Sequence, residues 1–320
     1  MRLGLFGSPA FALPVLEALW AHYEVALVVA QPDKPAGRGH KLTPPPLAVR
    51  ARELGLKLEQ PVRLKRNEAF LELVRELDLD VAVTAAYGKI LPQALLDIPK
   101  HGFLNVHASL LPRYRGAAPI QWALINGETE TGVSIMQTEA GLDTGPVRLV
   151  RRLEIDPDDT ADTLFDKLST LGADALANAL ERLERDALPS CPQDDAQATH
   201  APMLSKDDGA ICWDRPAAQI YNRYRGVVAW PGTWTVHDGR VLKVPQLTPL
   251  PSVHGEPGEV VAVSSEGVTV GSGEGALLLE IVQPAGKPRM PARDWANGYG
   301  VRVGTRLSHG DLHGTGGEHG

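Results

Sequence analysis

The chain is poor in cysteine and has no long apolar stretch. Its 320 residues hold two cysteines, Cys191 and Cys212, far apart and outside any C-x-x-C or Cys/His spacing, which leaves no basis for a disulfide framework or a zinc site. No apolar run approaches the roughly 20 residues of a membrane span. Met1-Arg2-Leu3-Gly4-Leu5-Phe6 is a short apolar strand that runs straight into turn residues, unlike a secretory leader. A cytoplasmic chain with no membrane partner is therefore expected. Gly4-x-x-Gly7-Ser8-Pro9 lacks the G-x-G-x-x-G spacing and no Gly-Lys-Ser/Thr follows it, so neither a dinucleotide nor an ATP loop is indicated. A tight turn into a proline-started helix accounts for it. The net charge of −7 argues against indiscriminate coating of nucleic acid, while leaving room for a local basic lane.

What is present is a globular composition, 43% apolar and 22% charged, in a chain long enough for two domains. The first half alternates short apolar runs with helical periods, the pattern of an α/β domain with a Rossmann-like, mostly parallel sheet. Strands are expected at Arg2–Phe6, Glu24–Ala30, Asp80–Thr84, Phe103–Val106 and Gly132–Gln137. Helices are expected after Pro9, around Glu68–Leu77, and at Ala161–Leu171 and Asp174–Arg185. From Pro189 to Pro202 the chain is polar, proline-bearing and without period, which reads as a linker. After a helical stretch at Pro216–Arg225, strand-like runs follow at Thr233–His237, Arg240–Val244, Glu259–Val263, Gly267–Val270 and Leu277–Val282. Gly and Pro turns separate them, as in a small antiparallel, OB-like β-barrel. The expected division is a first domain over 1–188, a linker over 189–204, the barrel over 205–307, and a Gly-rich disordered tail over 308–320. The histidines of that tail read as solvated residues and not as metal ligands.

The densest chemical signal is Asn105-Val106-His107-Ala108-Ser109-Leu110-Leu111-Pro112. Residues two apart on a strand point the same way, so Asn105 and His107 share a face near the carboxyl end of a strand, where open α/β sheets bind ligands. A carboxamide and an imidazole aimed into one crevice suit acyl transfer, whose tetrahedral oxyanion needs preorganised donors. The turn Glu139-Ala140-Gly141-Leu142-Asp143-Thr144-Gly145-Pro146 offers a carboxylate. Asp143 there either orients His107 and stabilises an imidazolium, or only caps the turn; spacing leaves both open.

Asn105, His107 and Asp143, in this order, resemble the Asn–His–Asp triad of the 10-formyltetrahydrofolate-dependent formyltransferase superfamily. The run Ser109–Ile120 (SLLPRYRGAAPI) is similar to the signature of its methionyl-tRNA formyltransferases. The resemblance implies direct formyl transfer from 10-formyltetrahydrofolate to the methionine amine of initiator tRNA, with no covalent enzyme intermediate and no metal. It also implies that the enzyme works as a monomer. By the same resemblance Ser109, Leu110, Leu111 and Pro112 line the folate pocket, with Tyr87 and Gly88 at its edge. The core alone also resembles sugar-nucleotide formyltransferases and formyltetrahydrofolate hydrolases.

Two features favour tRNA. Gln31-Pro32-Asp33-Lys34-Pro35-Ala36-Gly37-Arg38-Gly39-His40-Lys41 is a Pro- and Gly-rich basic segment, either a solvated loop or a mobile flap able to reach phosphates. It resembles the family's acceptor-binding insertion, which gives Lys34, Arg38 and Lys41 as tRNA contacts. The entry Ser205-Lys206-Asp207-Asp208-Gly209-Ala210-Ile211-Cys212-Trp213 and the later Trp230-Pro231-Gly232-Thr233 resemble landmarks of the family's C-terminal tRNA-contacting domain, with Lys206 as a further contact. Trp213 and Trp230 are themselves expected in the core. Met203 and His40 stand where the family often has lysine, and Val228-Ala229 replaces a segment that often carries a proline.

Overall fold

Buried runs of Val, Leu and Phe need partners on both sides, and in the first half of the chain they find them in one central sheet. The computed structural model describes residues 1–36 and 41–309. These divide into two compact units. The first comprises Met1–Pro119, Thr129–Ile155 and Thr163–Pro202; the second comprises Ile120–Glu128, Asp156–Asp162 and the chain from Met203 onward. Among the described residues no helix is long and apolar enough to cross a membrane.

In chain order there are β1 (Arg2–Gly7), α1 (Ala12–His22), β2 (Glu24–Val29), β3 (Lys34–Ala36), β4 (Lys41–Thr43), α2 (Pro46–Glu53), β5 (Leu58–Glu59), α3 (Glu68–Glu76), β6 (Val81–Ala85), α4 (Gln93–Leu96), β7 (Phe103–His107) and β8 (Arg115–Gly116). After α5 (Pro119–Ile125) come β9 (Glu130–Gln137), β10 (Val147–Glu154), α6 (Ala161–Glu184) and β11 (His200–Ala201). Seven strands form a sheet in the order β10-β9-β7-β6-β1-β2-β5. The five from β5 to β7 are parallel, while β9 runs against β7 and β10 against β9. This is the Rossmann-like, mostly parallel sheet expected from the alternation of strand and helix. Phe6, Phe70, Tyr87 and Phe103 pack together on one side of it, with Phe6 meeting the other three rings edge-on. Fully burying each such ring stabilises the fold by about 1.5–3 kcal/mol. Helix α3 follows from its sequence: Asn67 caps it by accepting from Phe70 N at 3.2 Å, and Phe70, Leu71 and Val74 form its buried stripe.

Three local expectations change, and one strand is added to those expected. The two helices expected at Ala161–Leu171 and Asp174–Arg185 are one, α6, which continues through Gly172. That glycine is there for close packing, since a Cβ at it would stand 2.7 Å from Val106 Cγ1 on β7. β10 had no forecast, because an edge strand with charges on its open face (VRLVRRLE) lacks an apolar run. The basic segment is no simple loop: its ends pair as the hairpin β3–β4, Lys34 opposite Thr43. The polar stretch after Pro189 is well bonded within the first unit: Cys191 exchanges two backbone hydrogen bonds of 2.9 Å with Val147, and β11 pairs with β8.

The second unit continues with α7 (Ala217–Val227), β12 (Trp234–His237), β13 (Arg240–Leu250), β14 (Val260–Val263), β15 (Val268–Gly271), β16 (Ala276–Pro284), β17 (Met290–Pro291) and α8 (Ala292–Tyr299). Its antiparallel sheet has the order β12-β13-β16-β15-β14, with β17 added beside β16. It wraps as a half-barrel around Trp213, Leu242, Leu277, Leu279 and Trp295. The chain near its C-terminal end bridges the sheet's two edges, where Ser308 pairs with Val236 beside Arg306 paired with Glu259. β13 runs past Val244, where the expectation stopped, because the register shifts between Lys243 and Gln246 absorb Pro245. Trp213 is core as expected, its Nε1 donating to Thr235 Oγ1 at 3.0 Å. Trp230 is not: it is 51% exposed, carried outward on the turn that follows α7.

Candidate active site

β6 and β7 are parallel neighbours in a register that sets Thr84 beside Asn105. The buried Thr84 hydroxyl donates to Asn105 Oδ1 at 2.9 Å. A carboxylate only accepts, so the Asn105 edge that faces Asp143 is its NH₂ and the edge at Thr84 its carbonyl oxygen. Asn105 Nδ2 is thereby turned toward Asp143 Oδ1 at 3.5 Å. Two residues on, His107 is buried, with Nδ1 3.8 Å from Asp143 Oδ2 and Nε2 3.0 Å from the Tyr114 carbonyl oxygen. A carbonyl only accepts, so Nε2 carries a proton and Nδ1 is the exchangeable edge of the ring. The Nδ1 separation exceeds hydrogen-bond length, so the ring and the carboxylate face each other without a direct bond. The amide, the imidazole and the carboxylate expected at one rim of the sheet are thus brought together around Asp143.

Asp143 itself is held from its own unit. Gly116 N donates to its Oδ2 at 2.9 Å, and its backbone sits in the left-handed region at φ 53°, which Asp tolerates better than most residues. The residue shapes a turn, and its carboxylate faces Asn105 and His107. The supports Thr84, Tyr114 O and Gly116 N escape sequence reasoning, because strand register and loop path leave no periodic signal. Gln193 is a further support, donating to the carbonyls of Asp143 and Gly145.

The residues expected around the folate are placed as follows. Ser109 donates to Arg113 O at 2.7 Å, and Ser134 Oγ bridges Ser109 O and Leu111 N at 2.7 and 3.1 Å. The Ser109–Pro112 turn is therefore fastened to β9, with Ser109 and Leu111 buried and Leu110 and Pro112 half-buried. Gly88 is exposed at φ 73°. The Tyr87 ring is 3% exposed and packs on Phe6, and burial pushes its phenol up to about 12. Only its backbone faces outward chemistry, and its carbonyl already accepts from Gln31 Nε2 at 2.7 Å. A cavity of about 610 Å³, lined by Leu96, Lys100, His101, Thr138, Arg148 and Leu183 among others, opens at the amino end of β7, and none of Asn105, His107 or Asp143 lines it.

Of the residues expected to touch tRNA, Lys34 is exposed, with Nζ 2.7 Å from Gln31 Oε1. Lys41 begins β4, and Lys206 is an exposed residue of the second unit. Arg38 and His40 lie outside the described residues.

Comparison with known proteins identifies the family. The model of the family described as formyl transferase matches residues 6–180, and that described as formyl transferase, C-terminal domain, matches residues 203–300. The chain is 55% identical to a methionyl-tRNA formyltransferase from Deinococcus radiodurans over 306 residues, 96% of this chain and 95% of that one. It is 52% identical to one from Thermus thermophilus over 307 residues, 96% of this chain and 99% of that one. An N-formyltransferase from Helicobacter canadensis, solved with folinic acid and dTDP-3-aminofucose, shares the fold. The TM-score is 0.68 at 17% identity, over 89% of this chain and 99% of that one. The chain belongs to the formyl transferase family, among the methionyl-tRNA formyltransferases.

Proposed function

We infer that this chain moves the formyl group of 10-formyltetrahydrofolate onto the amino group of methionine carried by initiator tRNA. The chemistry rests on one observation, the Asp143 carboxylate facing both Asn105 Nδ2 and His107 Nδ1. The acceptor is the one in the names of the relatives described above.

When bound, 10-formyltetrahydrofolate supplies the formyl carbon, and its N10 departs with the electron pair of the broken C–N bond. Asn105 Nδ2, oriented by Thr84, donates to the formyl oxygen as negative charge gathers there during attack by the amine. His107, anchored through Nε2, offers its Nδ1 edge beside that donor. Asp143, held by Gly116 N, takes up the proton that the attacking amine sheds, directly or by way of His107, and that proton passes on to the departing N10, leaving the carboxylate as it began. The fastened turn from Ser109 to Pro112 fits a flat, partly apolar donor, since it leaves Leu110 and Pro112 part-exposed while its polar groups are satisfied from behind. Gly88 offers an exposed peptide beside the Gln31 amide, and Tyr87 contributes backbone alone. Lys34, Arg38, Lys41 and Lys206 meet phosphates of the acceptor arm. The chain acts in the cytoplasm and as a monomer.

The test is a formylation assay on the purified chain that offers initiator Met-tRNA, an amino-sugar nucleotide, or no acceptor. Formylmethionyl-tRNA is the expected product. Formylation of the sugar nucleotide in its place, or formate release without any acceptor, would overturn the reading.

A further inference from the structure

The Asp143 turn has little burial to hold it, since Glu139, Ala140, Gly141 and Leu142 are all exposed. Its backbone is also in the left-handed region, at a modest cost for Asp. What holds the turn comes from 50 residues further along the chain. Gln193 Nε2 donates to Asp143 O at 2.8 Å and to Gly145 O at 2.7 Å, so both amide protons are spent on this turn. At its other end Gln193 Oε1 accepts from Arg115 Nε at 3.0 Å and Nη2 at 2.8 Å. Arg115 is a buried cation, 5% exposed, which also bonds Asp195 Oδ1 at 2.8 Å. The Gln193 amide cannot turn over, because that would set its oxygen against two carbonyls and its NH₂ against a guanidinium.

We propose that Gln193 is a positioning residue for formyl transfer, setting where the Asp143 carboxylate sits relative to Asn105 and His107; this rests on the reading of Asp143 as a catalytic residue. The segment around Gln193 is pinned on both sides, by Cys191 on Val147 and by Ala201 on Gly116. Gly116 in turn has no room for a side chain, as a Cβ there would stand 2.6 Å from Ala201 O. Arg115 and Gly116 thus hold Asp143 twice. Gly116 N grips the carboxylate, and Arg115, through Gln193, grips the backbone of the same residue. The polar stretch that composition presents as a linker is the clamp on the Asp143 turn.

The experiment compares wild type, Gln193→Glu and Gln193→Ala in steady-state transfer to initiator Met-tRNA, each also placed in an Asp143→Ala background. Gln193→Glu keeps the shape and the acceptor for Arg115 but faces the two carbonyls with oxygen. Because a displacement near 1 Å can cost up to about a hundredfold, kcat should fall about tenfold to a hundredfold in both single variants. KM for either substrate and the circular dichroism spectrum should hardly change. In the Asp143→Ala background the Gln193 substitutions should change kcat less than about twofold, since the two residues act through one group. Wild-type kcat in Gln193→Glu, a rise in KM without loss of kcat, or full multiplication of the two losses would overturn the proposal. If Gln193→Ala does not fold, Gln193→Glu decides alone. Near-normal turnover of Asp143→Ala by itself would instead sink the catalytic reading and this proposal with it.

Discussion

Replacing Asp143 by Asn keeps the side chain's shape and removes its charge. The carboxylate now accepts from Gly116 N at 2.9 Å and faces Asn105 Nδ2 at 3.5 Å and His107 Nδ1 at 3.8 Å. An Asn oxygen can take over the Gly116 bond, which leaves its NH₂ confronting the Asn105 NH₂, donor against donor. Exchanging a charge-assisted hydrogen bond for a neutral one costs roughly 1 kcal/mol. For a chain of 320 residues that is a fall in Tm of about 1–2 °C, so the variant folds. The chemical loss is far larger. Proton acceptance by a positioned side chain is worth about 10²–10⁴ in rate, and misdirecting one oxyanion donor about 10²–10³. Both act in one step, so they do not simply multiply, and the expected fall in kcat is about 10³. The assay is formylmethionyl-tRNA formation at saturating donor and acceptor, with KM expected to stay near wild type because nothing removed here binds only the ground state. A folded Asp143→Asn with kcat within about tenfold of wild type would refute the reasoning.

Three other outcomes can be checked. Gly132→Ala puts a Cβ onto the Arg151 carbonyl across β9–β10 and 2.6 Å from Leu110 Cδ2. Overpacking of this kind costs about 1–3 kcal/mol, so thermal unfolding should show a clear drop in Tm, and an unchanged Tm contradicts the packing described. Asp80 is held below the usual carboxylate range by the Arg2 backbone N–H first and by Lys100 next. A carboxyl depressed in the folded state stabilises above the unfolded value, near pH 4, and the benefit is lost as pH falls through the depressed value. The Tm gap between wild type and Asp80→Asn should therefore be present at neutral pH and close in acid, and a gap independent of pH would contradict it. For tRNA, KM for Met-tRNA should rise steeply from about 50 to 200 mM salt while KM for the formyl donor stays flat. A flat response for both would remove the basic contacts.

The strands that carry the site were readable because burial on both faces leaves a continuous apolar signature, as in Leu3–Phe6 and Val81–Val83. The period of two put Asn105 and His107 on one face, and the structure has both turned to Asp143. What stayed illegible is long-range or local without period. No rule of spacing pairs Thr84 with Asn105, which depends on parallel register across two strands, or sends Gln193 back to Asp143. Gly172 reads as a helix break and instead makes room for Val106. No local pattern sends the Tyr87 ring into the core beside Phe6. Trp230 reads as core and is carried outward on a turn. In each case tertiary packing decides between two uses of the same residue type, and composition is blind to that choice.

The most direct test of the account is a single-turnover measurement with His107→Ala, both substrates bound at saturating concentration before transfer is followed. His107→Ala is expected to fold, to bind donor and Met-tRNA as wild type does, and to transfer the formyl group at least about a hundredfold more slowly. Transfer at close to the wild-type rate would contradict it.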